Sequence, residues 1–259
     1  MNNFWNTRCI LKVIVGSHAY GTNVKTSDKD YCGICIPPEN YLLGLDQFEQ
    51  YERKEPDEVI YSLEKFVRLA LQNNPNIIDM LFADDKHIVL MNEFGYELRN
   101  IRYAFLSKRV FKTYGGYAVF RLKNLTEKGK NPIGTKKDLI EKYGFDTKDA
   151  SHLIRLIHMA IEILEEGEVL VYRPDRQYLL DIRNGKFTLD EIKEEYERLN
   201  ELLKTAYSNS KLPDEPNYNQ INKWLVEVHK RALYHVGEPW DLNCDDDDNE
   251  NKIISFIPT

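Results

Sequence analysis

Apolar and polar positions divide the chain into two regimes, short bounded runs first and long helical stripes later. Ile10 to Val15 (I-L-K-V-I-V) is an apolar run with one Lys, too short for most helices, and predicts a buried strand. Gly16-Ser17 breaks it. A second β-rich run carries Asp28-x-Asp30 and continues to Ile36, where Pro37-Pro38 closes it because Pro cannot donate to a ladder. Glu39 to Glu55 shows no clear period and predicts a loop with one short turn. Asp57 to Tyr61 suits another strand, after which Ser62 can cap a helix that buries Leu63, Phe66, Val67, Ala70 and Leu71. Asn73-Asn74-Pro75-Asn76 stops that helix, and Ile77 to Phe82 predicts a short apolar one. Asp84 to Lys86 reads as a turn, Ile88 to Met91 as a strand and Glu93 to Asn100 as a helix.

From Phe105 the character changes. Ser107 to Leu125 is rich in Lys, Arg and aromatics with no acid, and Gly115-Gly116 is expected to interrupt it near a domain boundary. Such a run can track phosphates and stack bases, or its Lys and Arg stems can simply cover the apolar face of their own helix. Lys128 to Lys137 predicts a basic, turn-rich linker. Phe145 to Glu165 is the clearest helix, capped by Asp146 or Thr147 and burying Leu153, Ile157, Ala160, Ile161 and Leu164. Val169 to Tyr172 suggests a short strand, Leu189 to Ala206 a solvated amphipathic helix, and Ile221 to His235 a last helix after the Pro-rich break at Leu212 to Pro216. The pattern as a whole predicts an α+β protein, a small mixed sheet with flanking helices followed by a mostly helical second half.

Composition changes this picture little. With 259 residues, 42% hydrophobic and 30% charged, the chain has enough apolar content for a core. No run approaches the roughly 20 apolar residues of a membrane span, and the first residues lack a basic stretch followed by an apolar core, so the expectation is a cytoplasmic protein without a membrane partner. The net charge of −7 owes much to an acidic tail at Asp245 to Asp248, and it argues against a broad non-specific nucleic-acid footprint while leaving room for a local basic channel. Cys32 and Cys35 form a C-x-x-C, but three residues apart on a strand they face opposite sides and cannot easily share a zinc ion.

The chemistry gathers around the first break. Gly16 lets the backbone turn close to a ligand, and Ser17 can cap a short helix whose free N–H groups face an anion, a seat for phosphate. Asp28 and Asp30, two apart on one strand, point the same way, and a shared Mg²⁺ is the economical reason for pairing two carboxylates. Lys148, His152 and Arg155 form a row on the flank of the clearest helix. The row could meet a triphosphate or an acceptor strand, or it could be one solvated Lys beside an ordinary helix histidine.

These residues carry a resemblance. Gly16-Ser17 followed by Asp28-x-Asp30 resembles the signature of the DNA polymerase β nucleotidyltransferase superfamily. G-S-H-A-Y-G-T-N with S-D-K-D-Y-C-G-I is most similar to its bacterial and phage RNA-ligase-associated (RlaP/YcgL-like) members. N-P-N-x-x-x-x-L-F at Asn74 to Phe82 and K-x-A-x-H-L-x-R-L at Lys148 to Leu156 extend the likeness. The resemblance implies that Gly16 and Ser17 hold the triphosphate, with Lys148, His152 and Arg155 as further nucleotide-binding residues and Arg183 joining a basic cleft. It also implies that Asp28 and Asp30 bind two Mg²⁺ ions, with Mn²⁺ as the alternative. A third carboxylate is implied from the next strand, where Asp57 and Glu58 point to opposite faces; strand parity leaves the choice open, and the resemblance favours Asp57.

The implied organisation is a nucleotidyltransferase catalytic domain over residues 1–115, a helical C-terminal domain over 116–240 and an acidic tail over 241–259. The implied reaction is Mg²⁺-dependent transfer of a nucleoside monophosphate from an NTP such as ATP to a hydroxyl acceptor, favoured as an RNA or tRNA end, with release of pyrophosphate. The alternative is a catalytically inactive nucleotide- or nucleic-acid-binding regulatory module on the same fold.

Overall fold

The computed structural model describes residues 3–126 and 135–234. Five strands form one mixed sheet: β1 (Cys9–Val15), β2 (Asp30–Cys35), β3 (Gln50–Lys54), β4 (Asp57–Ser62) and β5 (Ile88–Met91), in the order β3-β4-β2-β1-β5. Only β2 and β4 run parallel; β1 pairs antiparallel with both β2 and β5, and β3 pairs antiparallel with β4. The most apolar run of this half, β1, lies inside the sheet between β2 and β5, as its near-continuous burial demands.

The helices in the first half are α1 (Phe4–Thr7), α2 (Gly16–Tyr20), α3 (Glu39–Leu42), α4 (Leu63–Leu71), α5 (Pro75–Leu81) and α6 (Glu93–Asn100). Those in the second are α7 (Val110–Thr126), α8 (Thr135–Tyr143), α9 (Thr147–Glu166), α10 (Arg176–Arg183), α11 (Leu189–Asn209) and α12 (Tyr218–Tyr234). Ser62 caps α4 by accepting from the Lys65 N–H, Asn74 caps α5, and Asp146 caps α9 by accepting from the N–H groups of Lys148 and Asp149. Asn73 takes the left-handed conformation at φ 52° that ends α4.

One face of the sheet presents Leu11, Val13 and Ile34 to a continuous core that reaches α9 through Ile157 and α12 through Val228. The other face carries a small satellite core of Phe4, Cys35 and Ile60 with Trp5 and Phe48 around it. The helix α9 is the spine of the second half, packed on α7, α10 and α11. No helix of the described residues is long and apolar enough to cross a membrane.

Several expectations need correction. The loop expected over Glu39 to Glu55 contains α3 and the edge strand β3, whose Q-Y-E-R-K sequence leaves Glu52, Arg53 and Lys54 exposed and so shows no apolar alternation. Gly115-Gly116 does not interrupt α7. Tyr114 and Ala118, fully buried on either side, hold the helix against a cost of about 1 kcal/mol per glycine. Val169 to Tyr172 is not a strand; Arg173 N–H bonds the Tyr20 carbonyl, and no ladder forms beside it. The strand β2 begins at Asp30, leaving Asp28 in the preceding loop, and Ser17 lies inside the first turn of α2 without capping it. The basic linker falls mostly on residues 127–134 and the acidic tail on 241–259, both outside the described residues.

Candidate active site

The site sits where β1 ends. Gly16 turns the chain with φ 68°, a left-handed conformation that only glycine adopts freely, and a Cβ there would lie 2.7 Å from Asp30 Oδ2. The carboxylate therefore rests directly on the glycine. Next to it, Ser17 lies in the first turn of α2, and its hydroxyl has no hydrogen-bond partner among the described residues. His18 Nε2 meets the Ser27 carbonyl at 3.1 Å, and Ser27 closes a turn with Val24, its N–H donating to the Val24 carbonyl and its hydroxyl oxygen accepting from the Val24 N–H, which folds the loop bearing Asp28 back over α2.

Strand register separates Asp57 from Glu58. Tyr31 pairs with Glu58 on the parallel neighbour, so Asp30 and Asp57, one residue earlier on each strand, lie level on the same face. Glu58 points to the opposite face, 2% exposed and ion-paired with Lys12 and with Arg53 at 3.1 Å. The Asp30 carboxyl is held above the ordinary range by burial and then by repulsion from Asp57 and Asp28, against the pull of Lys148 and His18. Cys32, on this face beneath the acids, is pushed up to about 12 by burial and by Asp57 and Asp30.

Opposite the acids stands α9. Its Lys148 faces Asp30, and no carboxylate lies within ion-pair distance of that ammonium among the described residues. His152 is held neutral, its pKa driven well below normal by burial and then by the cations Arg155, Arg121, Lys148 and Arg183. Arg183 donates to the Thr22 carbonyl at 2.9 Å, tying α10 to the loop after α2. The guanidinium of Arg155 is placed differently from a surface contact. It is buried, stacked over the Tyr20 ring at 3.7 Å and 3.5 Å from Asp79 Oδ2, so its first role is to support α2 from below.

Sequence reasoning missed this support. Tyr20 donates to Asp79 Oδ2 at 2.5 Å, and Arg173, fully buried, bonds Glu162 and Asp175 while its N–H holds the Tyr20 carbonyl. The signal was present in Asp79, a lone acid inside the apolar run of α5. Part of the basic run is committed: just before α7, Lys108 pairs with Asp214 and Arg109 with Glu215, and within α7 Arg121 pairs with Asp149.

The donors suit a hard dication. Three carboxylates, oxygen ligands only, bias the spot against negative charge in a way that a dication would relieve, and the glycine leaves room beside Asp30. In the present side-chain positions no three His, Cys, Asp or Glu among the described residues are gathered closely enough to ligate one ion. The chemistry of the donors fits Mg²⁺, which would have to draw them together. Zinc at the C-x-x-C does not fit: Cys32 and Cys35 face opposite sides, and Cys35 lies level with Cys9 in the ladder.

The comparisons add to this geometry. Over 94 residues the chain is 29% identical to an uncharacterised 38.9 kDa protein in the nrdC-mobD intergenic region of enterobacteria phage T4; the match takes in 32% of this chain and only 28% of that relative. A crystal structure of a nucleotidyltransferase-like protein from Exiguobacterium sibiricum 255-15 matches over 86% of this chain and 74% of its own at 13% identity and a TM-score of 0.28. The family model described as RlaP, RNA repair pathway DNA polymerase beta family, matches residues 2–227, and the chain therefore belongs to that family of polymerase beta-type nucleotidyltransferases.

Proposed function

We propose that the protein transfers a nucleoside monophosphate from an NTP to a hydroxyl acceptor, an RNA or tRNA end, and releases pyrophosphate. The observation that carries this reading is the level placement of Asp30 and Asp57 on parallel strands, with Gly16 against one carboxylate and Lys148 across from it. Asp28, Asp30 and Asp57 are the residues that would hold Mg²⁺, or Mn²⁺ in its place. The bound ion supplies charge neutralisation on the phosphate oxygens of an in-line displacement.

The chain's own residues do the rest. The free hydroxyl of Ser17 and the turn at Gly16 bind the triphosphate, Lys148 offsets its charge, and neutral His152 is available as a hydrogen-bond donor among cations. Asp57 accepts the proton of the attacking hydroxyl. Catalysis by positioned charge of this kind suits phosphoryl chemistry, in which little covalent work falls to the protein. Residues 1–115 form the catalytic unit in this reading, 116–240 receive the acceptor, and the reaction belongs to the cytoplasm.

The test is consumption of each α-labelled NTP with Mg²⁺ and total RNA, with Asp30→Ala and Asp57→Ala beside the wild type. Transfer of label to RNA by the wild type and its loss in both variants supports the proposal; equal transfer by the variants overturns it. A binding module without turnover is the second reading, favoured by the spread of the three carboxylates. It predicts nucleotide binding with no label transferred.

A further inference from the structure

Beyond the carboxylates, the surface around the end of α2 holds an arrangement that the reaction above does not use. The ring of Tyr172, partly exposed, packs on Gly21, where a Cβ would meet its Cε2 at 2.6 Å. Gly21 is the left-handed cap of the same five-residue helix that opens at Gly16, so this ring stands about 8 Å along the backbone from the glycine under Asp30, at 1.5 Å of rise per residue. Two cations are held on the ring: the Lys86 ammonium lies 3.3 Å from its centroid and the Arg176 guanidinium 5.2 Å. The imidazole of His87 is next to them, 6.2 Å from the ring centre.

From there the positive charge continues toward the acids. Arg176 and Arg183 are seven residues apart on α10, hence on one side of the helix, and both face the loop after α2, one beside Gly21 and the other on the Thr22 carbonyl. The carbonyl of Arg183 accepts from the Thr147 hydroxyl at 2.8 Å, next to Lys148, which faces Asp30. Lys86, Arg176, Arg183 and Lys148 thus form a continuous line. Asp84, 3.5 Å from Lys86, is the one carboxylate within ion-pair distance of any of the four among the described residues. In a chain of net charge −7, three cations in succession, Arg176, Arg183 and Lys148, thus stand without a carboxylate at ion-pair distance among the described residues.

We propose that the Lys86–Tyr172–Arg176–Arg183 line is the track on which the phosphates of a single-stranded RNA acceptor lie as its end enters the site. The inference rests on the reading of the chain as a transferase with an RNA acceptor and adds the place where that acceptor binds. Successive cations along one surface match a flexible polyanion, and Tyr172 holds two of them in place before the strand arrives. An acidic peptide would meet the same charges, but it lacks the regular phosphate spacing that a line leading into a phosphoryl-transfer site serves.

The experiment is fluorescence anisotropy of the full chain with a labelled single-stranded oligoribonucleotide about 12 nucleotides long, across a salt series and without NTP. Removing both exposed cations in Lys86→Ala/Arg176→Ala is expected to weaken binding about tenfold and to lower the salt slope by about 1.4, two contacts at about 0.7 each for a single strand. Tyr172→Leu, which keeps both charges but frees them, is expected to weaken binding about fivefold with the slope retained. Affinity for a fluorescent NTP stays unchanged in all variants.

RNA binding with an unaltered slope in the double variant overturns the track and leaves the proposed reaction standing. Binding that depends on these residues in a protein that consumes no NTP supports the track and removes the reaction. Displacement of the RNA by polyglutamate at equal charge overturns the assignment to RNA in favour of an acidic peptide.

Discussion

The carboxylate of Asp30 occupies the space that a side chain on Gly16 would need, 2.7 Å from the ideal Cβ position. That contact couples the turn at Gly16 to the acid on β2 through a single missing methyl group. Gly16→Ala must therefore both strain a backbone at φ 68° and displace the acid. The strain costs about 1–2 kcal/mol, readable as a lower urea midpoint. The displacement is expected to reduce nucleotidyl transfer at least tenfold, and transfer at the wild-type rate in a folded G16A protein would break the link between turn and acid.

Asp57 and Glu58 are adjacent in sequence and lie on opposite faces of the sheet. Asp57→Asn takes the nearest like charge away from Asp30 and is expected to raise the melting temperature slightly at pH 7 and to abolish transfer. Glu58→Gln strips the buried partner from Lys12 and Arg53 and is expected to cost about 3 kcal/mol of stability, with transfer retained in the fraction that stays folded. Measuring both properties on both variants separates the two acids; a swapped pattern would reverse the assignment.

The raised Asp30 carboxyl makes the site a stability cost at neutral pH. In the folded chain Asp30 keeps its proton to a higher pH than in the unfolded chain, so stability falls as pH rises through the window from the ordinary carboxylate range to the raised folded value, and the deficit persists above it. Asp30→Asn removes that repulsion. Its melting temperature is expected to exceed the wild type's at pH 7 and to converge with it below about pH 4. Added Mg²⁺ is expected to raise the wild-type value and not that of D30N; a gap of the same size at every pH would show that repulsion among the acids is not its source.

What could be read from the sequence follows from how local each signal is. The strand β1, the caps at Ser62 and Asp146, and the helix stop at Asn73 depend on neighbours in sequence, and periodicity with cap chemistry was sufficient for them. The choice between Asp57 and Glu58 depends on which strand lies beside β2 and in what register, which parity within one strand cannot supply. Edge strand β3 was invisible for a related reason, since an edge buries little and shows little alternation. The glycine pair in α7 misled because packing of Tyr114 and Ala118 outweighs a local preference. Arg155 read as a surface ligand because its partners, Tyr20 and Asp79, are distant in sequence.

Those partners carry the last prediction. Asp79 is buried between the Tyr20 hydroxyl and the Arg155 guanidinium, and this cluster joins α5 and α9 to the short helix at the heart of the site. Burial raises the Asp79 carboxyl, while Arg155 and the Tyr20 hydrogen bond oppose that rise, so the acid and its two partners hold one another in place. Asp79→Ala leaves a buried cation unpaired and is expected to cost about 3–5 kcal/mol in urea unfolding. Replacing both charges in Asp79→Leu/Arg155→Met fills the same space with apolar atoms and is expected to recover most of that loss, because a desolvated pair gains little net stability over well-packed hydrophobes. Tyr20 then has no acceptor for its hydroxyl, and α2 loses its tether to α5. The double variant should therefore be stable and still poor in transfer, with a raised KM for the nucleotide. Restored stability together with wild-type KM would mean that the cluster holds the two halves together without setting the position of the Gly16–Ser17 turn.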